Sequence, residues 1–201
     1  EGTKRRIIID LRRSGGNQKA VLPERLTLPR PRDAVATARD IYERRGHFQR
    51  HEGEVSREMA VIDIQDAFMS LGVASEELPH TLTPSLIEGE YYCFCALLFG
   101  YKTAPLLWSR TAAMLARLQQ SLLEGHEGQH LVYLDDGLWF LQGDLNTRNS
   151  NLAMVLTTAA ALGFKVSLKK GERSTQVAWI GIRLTLTEDA LIMGLPAKYR
   201  S

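Results

Sequence analysis

The chain has 201 residues, of which 44% are hydrophobic and 24% charged, and its formal net charge is +2. This composition is typical of a folded protein with one sizeable core or two small ones, and it excludes an intrinsically disordered chain. No apolar run approaches the roughly 18 residues of a membrane span, and the basic N-terminus is no secretory signal. We therefore expect an intracellular protein, in the cytoplasm or nucleus, that binds no membrane.

The predicted elements of the first half are two short strands on either side of a helix, followed by a third strand. In chain order we expect a strand over residues 4–11, a helix from Asp33 as N-cap to Gly46, a strand over 59–64, and a strand over 90–99. In the last of these, Cys93 and Cys95 alternate along the strand. We expect buried reduced thiols, because the spacing suits neither a zinc site nor a disulfide framework.

The second half alternates helices with hairpins. A helix is expected over residues 105–123, with its apolar face at positions 107, 114, 115, 118 and 122. A hairpin over 130–141, a helix over 146–162 that stops at Gly163, and strands over 164–168 and 177–186 around a basic turn follow. We read the five histidines as surface or loop residues. The order of elements predicts an α+β fold with an antiparallel sheet backed by helices.

Charge is distributed unevenly along the chain. Residues 1–57 carry 14 Lys and Arg against 8 Asp and Glu, a net charge of +6, whereas residues 58–201 carry 11 against 15, a net charge of −4. A basic segment ahead of an acidic one suits a protein that holds a polyanion with one part and a metal ion with the other.

The stretch HLVYLDDGLWFL, residues 130–141, places Asp135 and Asp136 at the tip of the predicted hairpin. Two adjacent carboxylates repel each other and lose hydration among apolar neighbours, so the pair is costly unless a cation neutralises it. A divalent metal ion would do so. The alternative is a solvated turn in an edge hairpin.

A second acidic strand strengthens the metal hypothesis. In AVIDIQDAF, Asp63 interrupts an apolar strand and Asp66 follows where that strand should end. If the strand lies beside the hairpin, Asp63 reaches the same cation as Asp135. Two Mg²⁺ ions bridged by carboxylates stabilise in-line phosphoryl displacement, and Mg²⁺ needs few carboxylates when substrate phosphates complete its shell.

Six motifs in sequence resemble those of a reverse transcriptase of the retrotransposon or retrovirus kind. They are RRIIIDLR, VIDIQDAF, LLFGYKTAPLLWSR, YLDD, LGFKVSLKK and VAWIGIRL, and together they span almost the whole chain. The resemblance implies a polymerase palm with part of the fingers. Residues 1–57 would be partial fingers and residues 58–201 the palm, with an interleaved fingers segment at about 70–100 and a primer-grip hairpin; the thumb would be absent or only beginning.

The resemblance also implies roles for individual residues. Asp63, Asp135, Asp136 and the backbone carbonyl of Ile64 match the ligands of two Mg²⁺ ions, with Mn²⁺ as a substitute. Lys170, or Lys169 beside it, matches a catalytic cation and general acid. The residues matched to nucleotide binding are Arg6, with Lys4 as a looser candidate, Asp66, Ala67, Phe68, Phe99 and Gly100, and those matched to the primer grip are Trp179, Ile180 and Gly181.

The implied activity is that of an RNA-directed DNA polymerase. Its partners would be a primer-template with an RNA or DNA template strand, deoxynucleoside triphosphates, and a longer polyprotein that supplies a thumb and optionally a ribonuclease H. Two alternatives stay open. One is an RNA-dependent RNA polymerase, whose hairpin more often reads Gly-Asp-Asp, and the other is a catalytically decayed palm that serves as an RNA- or protein-binding scaffold.

Overall fold

The computed structural model describes residues 8–11, 15–43, 56–125 and 127–196. The chain divides into two compact units. The first comprises Glu1–Leu26 and Asp66–Arg110, and the second comprises Thr27–Gln65 and Thr111–Ser201. Within the described ranges, no helix has both the length and the apolarity that a membrane span requires.

The described residues contain four α-helices and nine strands. The helices are α1 (Gly16–Lys19), α2 (Pro31–Glu43), α3 (Ala104–Ser121) and α4 (Leu145–Ala161). The strands are β1 (Ser56–Asp63), β2 (Thr83–Pro84), β3 (Tyr91–Tyr92), β4 (Gly128–Tyr133), β5 (Asp136–Gly143), β6 (Glu172–Ser174), β7 (Gln176–Trp179), β8 (Ile182–Leu186) and β9 (Leu191–Gly194).

The second unit is built on a four-stranded sheet in the order β4-β5-β1-β6, whose neighbouring strands all run antiparallel. A three-stranded antiparallel sheet in the order β7-β8-β9 belongs to the same unit. The central strand β5 is buried along its apolar run from Leu138 to Leu141. Because both faces of that strand are covered, it forms the middle layer of the unit.

The alternation of side chains between the two faces of the four-stranded sheet separates two hydrophobic cores. On one face of the four-stranded sheet, Met59 and Val61 of β1 pack with α2 and with the three-stranded sheet, including Trp179. On the opposite face, Ala60 of β1 packs with Trp139 of β5 and with Val155 of α4. Since successive side chains of a strand point to opposite faces, both cores are assembled from the same two strands.

The predicted helices of the second unit are present. α4 begins one residue before its predicted start, with the Asp144 carboxylate accepting the Thr147 N–H at 2.7 Å as an N-cap, and Gly163 follows its end with φ of 82°. α2 starts at Pro31, so Asp33 is not its N-cap. Instead, the Asp33 carboxylate accepts the Arg30 N–H at 2.6 Å from inside the first turn. The predicted end at Gly46 lies outside the described residues.

Helix α3 is present, but its predicted apolar face is wrong. Four of the five predicted positions are at least 39% exposed: Leu107, Met114, Leu118 and Leu122. Of the predicted positions only Leu115 is buried, and the other buried residues of this face are Leu106, Trp108, Ala112 and Ala116. The predicted face contained only long aliphatic side chains, whereas the buried face also contains a tryptophan and two alanines.

The first unit contains little regular sheet. The predicted strand over 90–99 is wrong, because only Tyr91–Tyr92 forms a strand, paired with Thr83–Pro84. Cys93 and Cys95 are exposed free thiols, so the expectation that they are buried is also wrong. Of the predicted strand over 4–11, residues 4–7 lie outside the described part, and Ile8 forms a single bridge with Phe99.

Two further predictions near the end of the chain need correction. The predicted strand over 164–168 contributes only one bridge, between Val166 and Ile64. The basic segment expected to be a turn contains strand β6, which pairs with β1 through the register Ala60 to Arg173. The β1 edge supplies the hydrogen-bonding partner that the sequence alone does not show.

His130 is neither in a loop nor fully at the surface. It lies in β4, stacks on the Trp139 ring with centroids 4.1 Å apart, and its Nδ1 is 3.0 Å from Gln120 Oε1. Burial lowers the pKa of His130 from its usual 6.5 to about 4. The imidazole is therefore neutral in the folded protein at pH values where an exposed histidine is protonated.

Because the pKa of His130 is lower in the folded chain than in the unfolded chain, the stability of the protein depends on pH. Between pH 6.5 and about 4 the unfolded chain binds a proton at His130 that the folded chain does not, so the free energy of unfolding falls as pH falls through that window. The contribution reaches about 3 kcal/mol. We expect urea unfolding curves at pH 7 and pH 4.5 to show a smaller acid destabilisation in His130→Phe, which keeps the aromatic stack, than in the parent. An equal loss in both proteins would contradict the assignment.

Candidate active site

The strand register of the second unit brings the predicted aspartates to one end of the sheet. β1 runs antiparallel to β5 with Asp63 directly opposite Asp136. Just past β1, the Ile64 N–H donates to the Asp135 carbonyl oxygen at 2.9 Å. The three aspartates therefore lie on adjacent chain segments, although the first is far from the other two in sequence.

Two of these aspartates face a shared cavity. Asp63 continues the side-chain series of Val61 in β1, and Asp136 that of Leu138 in β5, so both point to the side of the three-stranded sheet. The cavity there has a volume of about 320 Å³. Its lining comprises Val61, Asp63, Asp136, Lys170, Ala178, Trp179 and Ile180.

Asp135 occupies a different place from its neighbour. It lies in the two-residue loop between β4 and β5, while Asp136 is the first residue of β5 and not part of the tip. Leu134, the other loop residue, has φ of 53°, an uncommon conformation for a side chain of its size. Asp135 lines a smaller cavity of about 30 Å³ on the face of the sheet that packs against α4, together with Ile62 and Val155.

Negative charge is concentrated around Asp136. Burial raises the pKa of the Asp136 carboxyl above its usual value, the charges of Asp135 and Asp63 raise it further, and Lys170 opposes the rise. Asp63 is itself only 6% exposed. Two carboxylates thus share a confined space in which their charges are only partly compensated by protein groups.

Lys170 supplies the cation at this site. Its Nζ donates to Asp63 Oδ1 at 2.7 Å, and this hydrogen bond, followed by the carboxylate charges around it, raises the pKa of Lys170. The sequence left open whether Lys170 or Lys169 lies at the carboxylates, and in the structure Lys170 contacts Asp63. Backbone contacts position the segment, since the Ser167 N–H donates to the Asp63 carbonyl at 2.8 Å.

Two of the three predicted primer-grip residues, Trp179 and Ile180, line the same cavity. Trp179 is 2% exposed, and its indole N–H donates to the Asp136 carbonyl in a long hydrogen bond of 3.4 Å. Its side chain is part of the core. The turn between β7 and β8 consists of Ile180 and Gly181, with φ of 41° and 80°, as a two-residue hairpin loop of the primed type requires. A β-branched residue at positive φ is strained.

The donor set fits a hard divalent cation in its chemistry. Among the residues that the structure describes, no three acidic, histidine or cysteine groups converge closely enough to hold a metal ion by themselves. Mg²⁺ in phosphoryl-transfer sites usually takes one or two carboxylates and completes its shell with water and substrate phosphates. Asp63 and Asp136, with Asp135 and the Ile64 carbonyl next to them, offer only oxygen donors and excess negative charge, which suits such an ion.

The residues matched to nucleotide binding belong to the first unit. Asp66 has φ of 52°, so the chain bends sharply there, and a short 3₁₀ turn over Phe68–Ser70 follows. Ala67 is buried, whereas Phe68 is half-buried and packs against Phe99 with ring centroids 5.1 Å apart. Part of the Phe68 side chain is therefore accessible to solvent, although the ring also packs against Phe99. Arg6 and Lys4 lie outside the described residues.

Gly100 is required by its surroundings. Its φ is 107°, and a Cβ added there would lie 2.0 Å from the Ile9 carbonyl oxygen. Asn17 holds the same loop, since its side-chain amide donates to the Gly100 carbonyl at 2.7 Å and accepts the Lys102 N–H at 2.8 Å. The glycine thus permits a close approach of two backbone segments within the first unit.

Several residues that were not predicted as part of the site support it through their backbone. The amide of Ser167 and the carbonyl of Lys165 bond to the end of β1 on either side of Ile64. Ala178 lines the cavity without a polar side chain. Since such contacts are made by groups that every residue has, no residue type in the sequence marks them.

A family model described as reverse transcriptase (RNA-dependent DNA polymerase) matches residues 6–184. The chain belongs to the reverse transcriptase family. No curated protein matches it significantly.

Solved structures show the same fold. The chain is similar to the foamy viral protease-reverse transcriptase dRH in complex with double-stranded DNA, with a TM-score of 0.69 and 18% identity, over 97% of this chain and 29% of that one. It is also similar to the foamy viral protease-reverse transcriptase in complex with an RNA/DNA hybrid, with a TM-score of 0.59 and 22% identity, over 71% and 18%. The chain thus spans less than a third of either relative. The predicted α+β polymerase palm is confirmed.

The Gly100 geometry predicts a large effect of a single methyl group. We expect Gly100→Ala to lower the free energy of unfolding by roughly 2–4 kcal/mol, because positive φ and the clash with Ile9 add together. Gly89→Ala is the matched control, since Gly89 has φ of 80° with open space around it; we expect about 1 kcal/mol. Urea unfolding followed by circular dichroism measures both. Equal losses would show that the Ile9 contact relaxes without cost.

Proposed function

We propose that this chain is the fingers and palm part of an RNA-directed DNA polymerase, which adds deoxynucleotides to a primer 3′ end. The observation that carries the proposal is the pairing of Asp63 with Asp136 next to Asp135, at the mouth of a polar cavity. Family membership and the fold support it. The division proposed is partial fingers in residues 1–57 and palm in 58–201, with interleaved fingers at about 70–100.

Asp63, Asp135, Asp136 and the Ile64 carbonyl would hold two Mg²⁺ ions, or Mn²⁺ in their place. When bound, such ions activate the attacking primer oxygen and neutralise charge on the departing pyrophosphate. The chain itself supplies the negative potential that concentrates cations at this end of the sheet. Burial, and after it the charges of Asp135 and Asp63, raises the pKa of Asp136.

The remaining residues would bind and orient the reactants. In this proposal Lys170 offers its ammonium to phosphate oxygens and serves as a proton donor, since it is the cation at the carboxylates. The backbone N–H groups of Asp66 and Ala67 would cradle phosphate at the sharp bend, with Arg6 as a further cation. Phe68 would lie beneath the sugar and Gly100 with Phe99 beneath the base pair, while the Ile180–Gly181 turn would contact the primer.

The partners proposed are a primer-template and a deoxynucleoside triphosphate. The two foamy viral relatives are bound to double-stranded DNA and to an RNA/DNA hybrid. We further propose that a longer polyprotein supplies a thumb, because phosphate contacts on a second side of the duplex increase affinity.

The first test separates an enzyme from a nucleic-acid-binding scaffold. Asp135→Asn and Asp63→Asn should each lower the rate of primer extension on a poly(rA) template by about a thousandfold or more. Each substitution removes a charged metal ligand that stabilises the transition state. Primer-template affinity should change little, because it arises mainly from cationic backbone contacts.

Asp144→Asn is the matched control. It makes the same substitution at the exposed N-cap of α4, where Asn caps as well as Asp, and should leave extension unchanged. Unchanged turnover in either active-site variant would point to the scaffold function instead.

The second test concerns the choice of sugar. A ribose 2′-hydroxyl would collide with the Phe68 ring and lose hydration, which we expect to disfavour ribonucleotides by roughly 2–4 kcal/mol, on the order of a hundredfold or more. Phe68→Ala should therefore accept UTP, whereas Phe68→Tyr keeps the ring and should keep the selection. The measurement is single-nucleotide incorporation of dTTP against UTP. Undiminished discrimination in Phe68→Ala would show that the ring only packs against Phe99.

A further inference from the structure

The ion pair between Lys170 and Asp63 joins two very different side chains. Asp63 is buried, with 8% of its side chain exposed, whereas 55% of the Lys170 side chain is exposed. The Nζ to Oδ1 distance is 2.7 Å. A carboxylate that is nearly out of solvent thus meets an ammonium on a long, flexible stem that reaches it from outside.

The backbone of Lys170 is held by hydrogen bonds in a turn, whereas more than half of its side chain is exposed. The Lys170 N–H donates to the Ser167 carbonyl at 3.1 Å, and the Ser167 N–H donates to the Asp63 carbonyl at 2.8 Å. The turn is therefore tied directly to the residue whose carboxylate the lysine contacts. Four methylene groups separate the anchored backbone from the ammonium, so the head group can leave Asp63 without any change in the turn.

We propose that the Lys170 ammonium is a built-in competitor for the metal ion at Asp63, so that a divalent cation binds by displacing it into the cavity. The inference deepens the proposed function and rests on it, because it takes Asp63 as a metal ligand. It adds a property of the chain itself: the affinity of the site for metal is set by a tethered cation.

Charge and space support displacement over coexistence. An ammonium at hydrogen-bonding distance from Oδ1 and a divalent ion on the same carboxylate would be only a few ångströms apart, where their repulsion is appreciable even in water. The cavity of about 320 Å³ beside them, lined by both residues and by Asp136, gives the displaced head group somewhere to go.

The experiment is a titration with Mn²⁺ alone, followed by the electron paramagnetic resonance signal of the free ion, at fixed ionic strength and without nucleotide. We expect Lys170→Met to bind Mn²⁺ about tenfold more tightly than the parent, because the competing cation is gone. Lys170→Arg keeps the charge and should bind like the parent. Since Lys170 is exposed, these variants should fold, which far-ultraviolet circular dichroism checks.

Lys169→Met is the matched control. It removes the same charge from the neighbouring exposed residue and should change Mn²⁺ affinity less than twofold if direct contact with Asp63 is what matters. Equal tightening by both methionine variants would reduce the effect to net charge and overturn the inference. Unchanged or weaker binding in Lys170→Met would overturn it as well.

Asp63→Asn separates this inference from the proposed function. If Asp63→Asn loses Mn²⁺ binding while Lys170→Met leaves the affinity unchanged, the metal site stands and only the competition fails. If Asp63→Asn binds Mn²⁺ like the parent, Asp63 is not a ligand, and both the competition and the metal part of the proposed function fail.

Discussion

The register of β1 against β5 is the constraint on which the candidate site depends. It places Asp63 opposite Asp136 and determines which face both carboxylates share. Because side chains alternate along a strand, a slip of one residue would turn Asp63 toward the face that packs against α4 and Met59 away from its core. The apolar residues of both strands resist such a slip, since each face is packed against a separate layer. Ordinary hydrophobic packing thus holds a costly pair of charges in place.

The opposite end of β1 is fixed by a second set of charges. Glu58 pairs with Arg148 of α4 at 2.9 Å and also with Arg173 of β6. Its side chain is only 12% exposed, so one carboxylate compensated by two guanidinium groups lies nearly inside the protein. Such a cluster gives little net stability but strongly disfavours arrangements that leave one member unpaired. The strand that carries Asp63 is consequently held at both ends, by charge at one and by backbone bonds to residues 165–167 at the other.

The features that the sequence predicted correctly were local or belonged to a recognisable motif. Asp63 within an apolar strand and Asp135-Asp136 within a hairpin were recognisable from residue type, and α4 was marked by its glycine stop. The exposed thiols of Cys93 and Cys95, the buried face of α3 and the environment of His130 were not predicted correctly. Each of these depends on which distant segment covers a surface, and the periodicity of a short stretch contains no information about that segment.

The contact of Lys170 with Asp63 illustrates the same limit at the site. Two adjacent lysines in a turn are equivalent by composition, and only the bond from Ser167 to the end of β1 decides which one reaches the carboxylate. Trp179 is a complementary case, since its motif predicted proximity to the site but could not show that the ring lies in the core. Motifs indicate which residues meet, and packing determines which of their atoms are available.

The division of the chain into two discontinuous units has a consequence for its synthesis. The chain passes from one unit to the other after Leu26, Gln65 and Arg110, so neither unit is a single stretch. β1 emerges from the ribosome long before β5, its central partner, and at 5–20 residues per second the delay is roughly 4–16 seconds. During that interval an apolar strand with unsatisfied edges is exposed on the nascent chain. Chaperones that cover such a strand cotranslationally would therefore affect the yield of this protein more than its final stability would suggest.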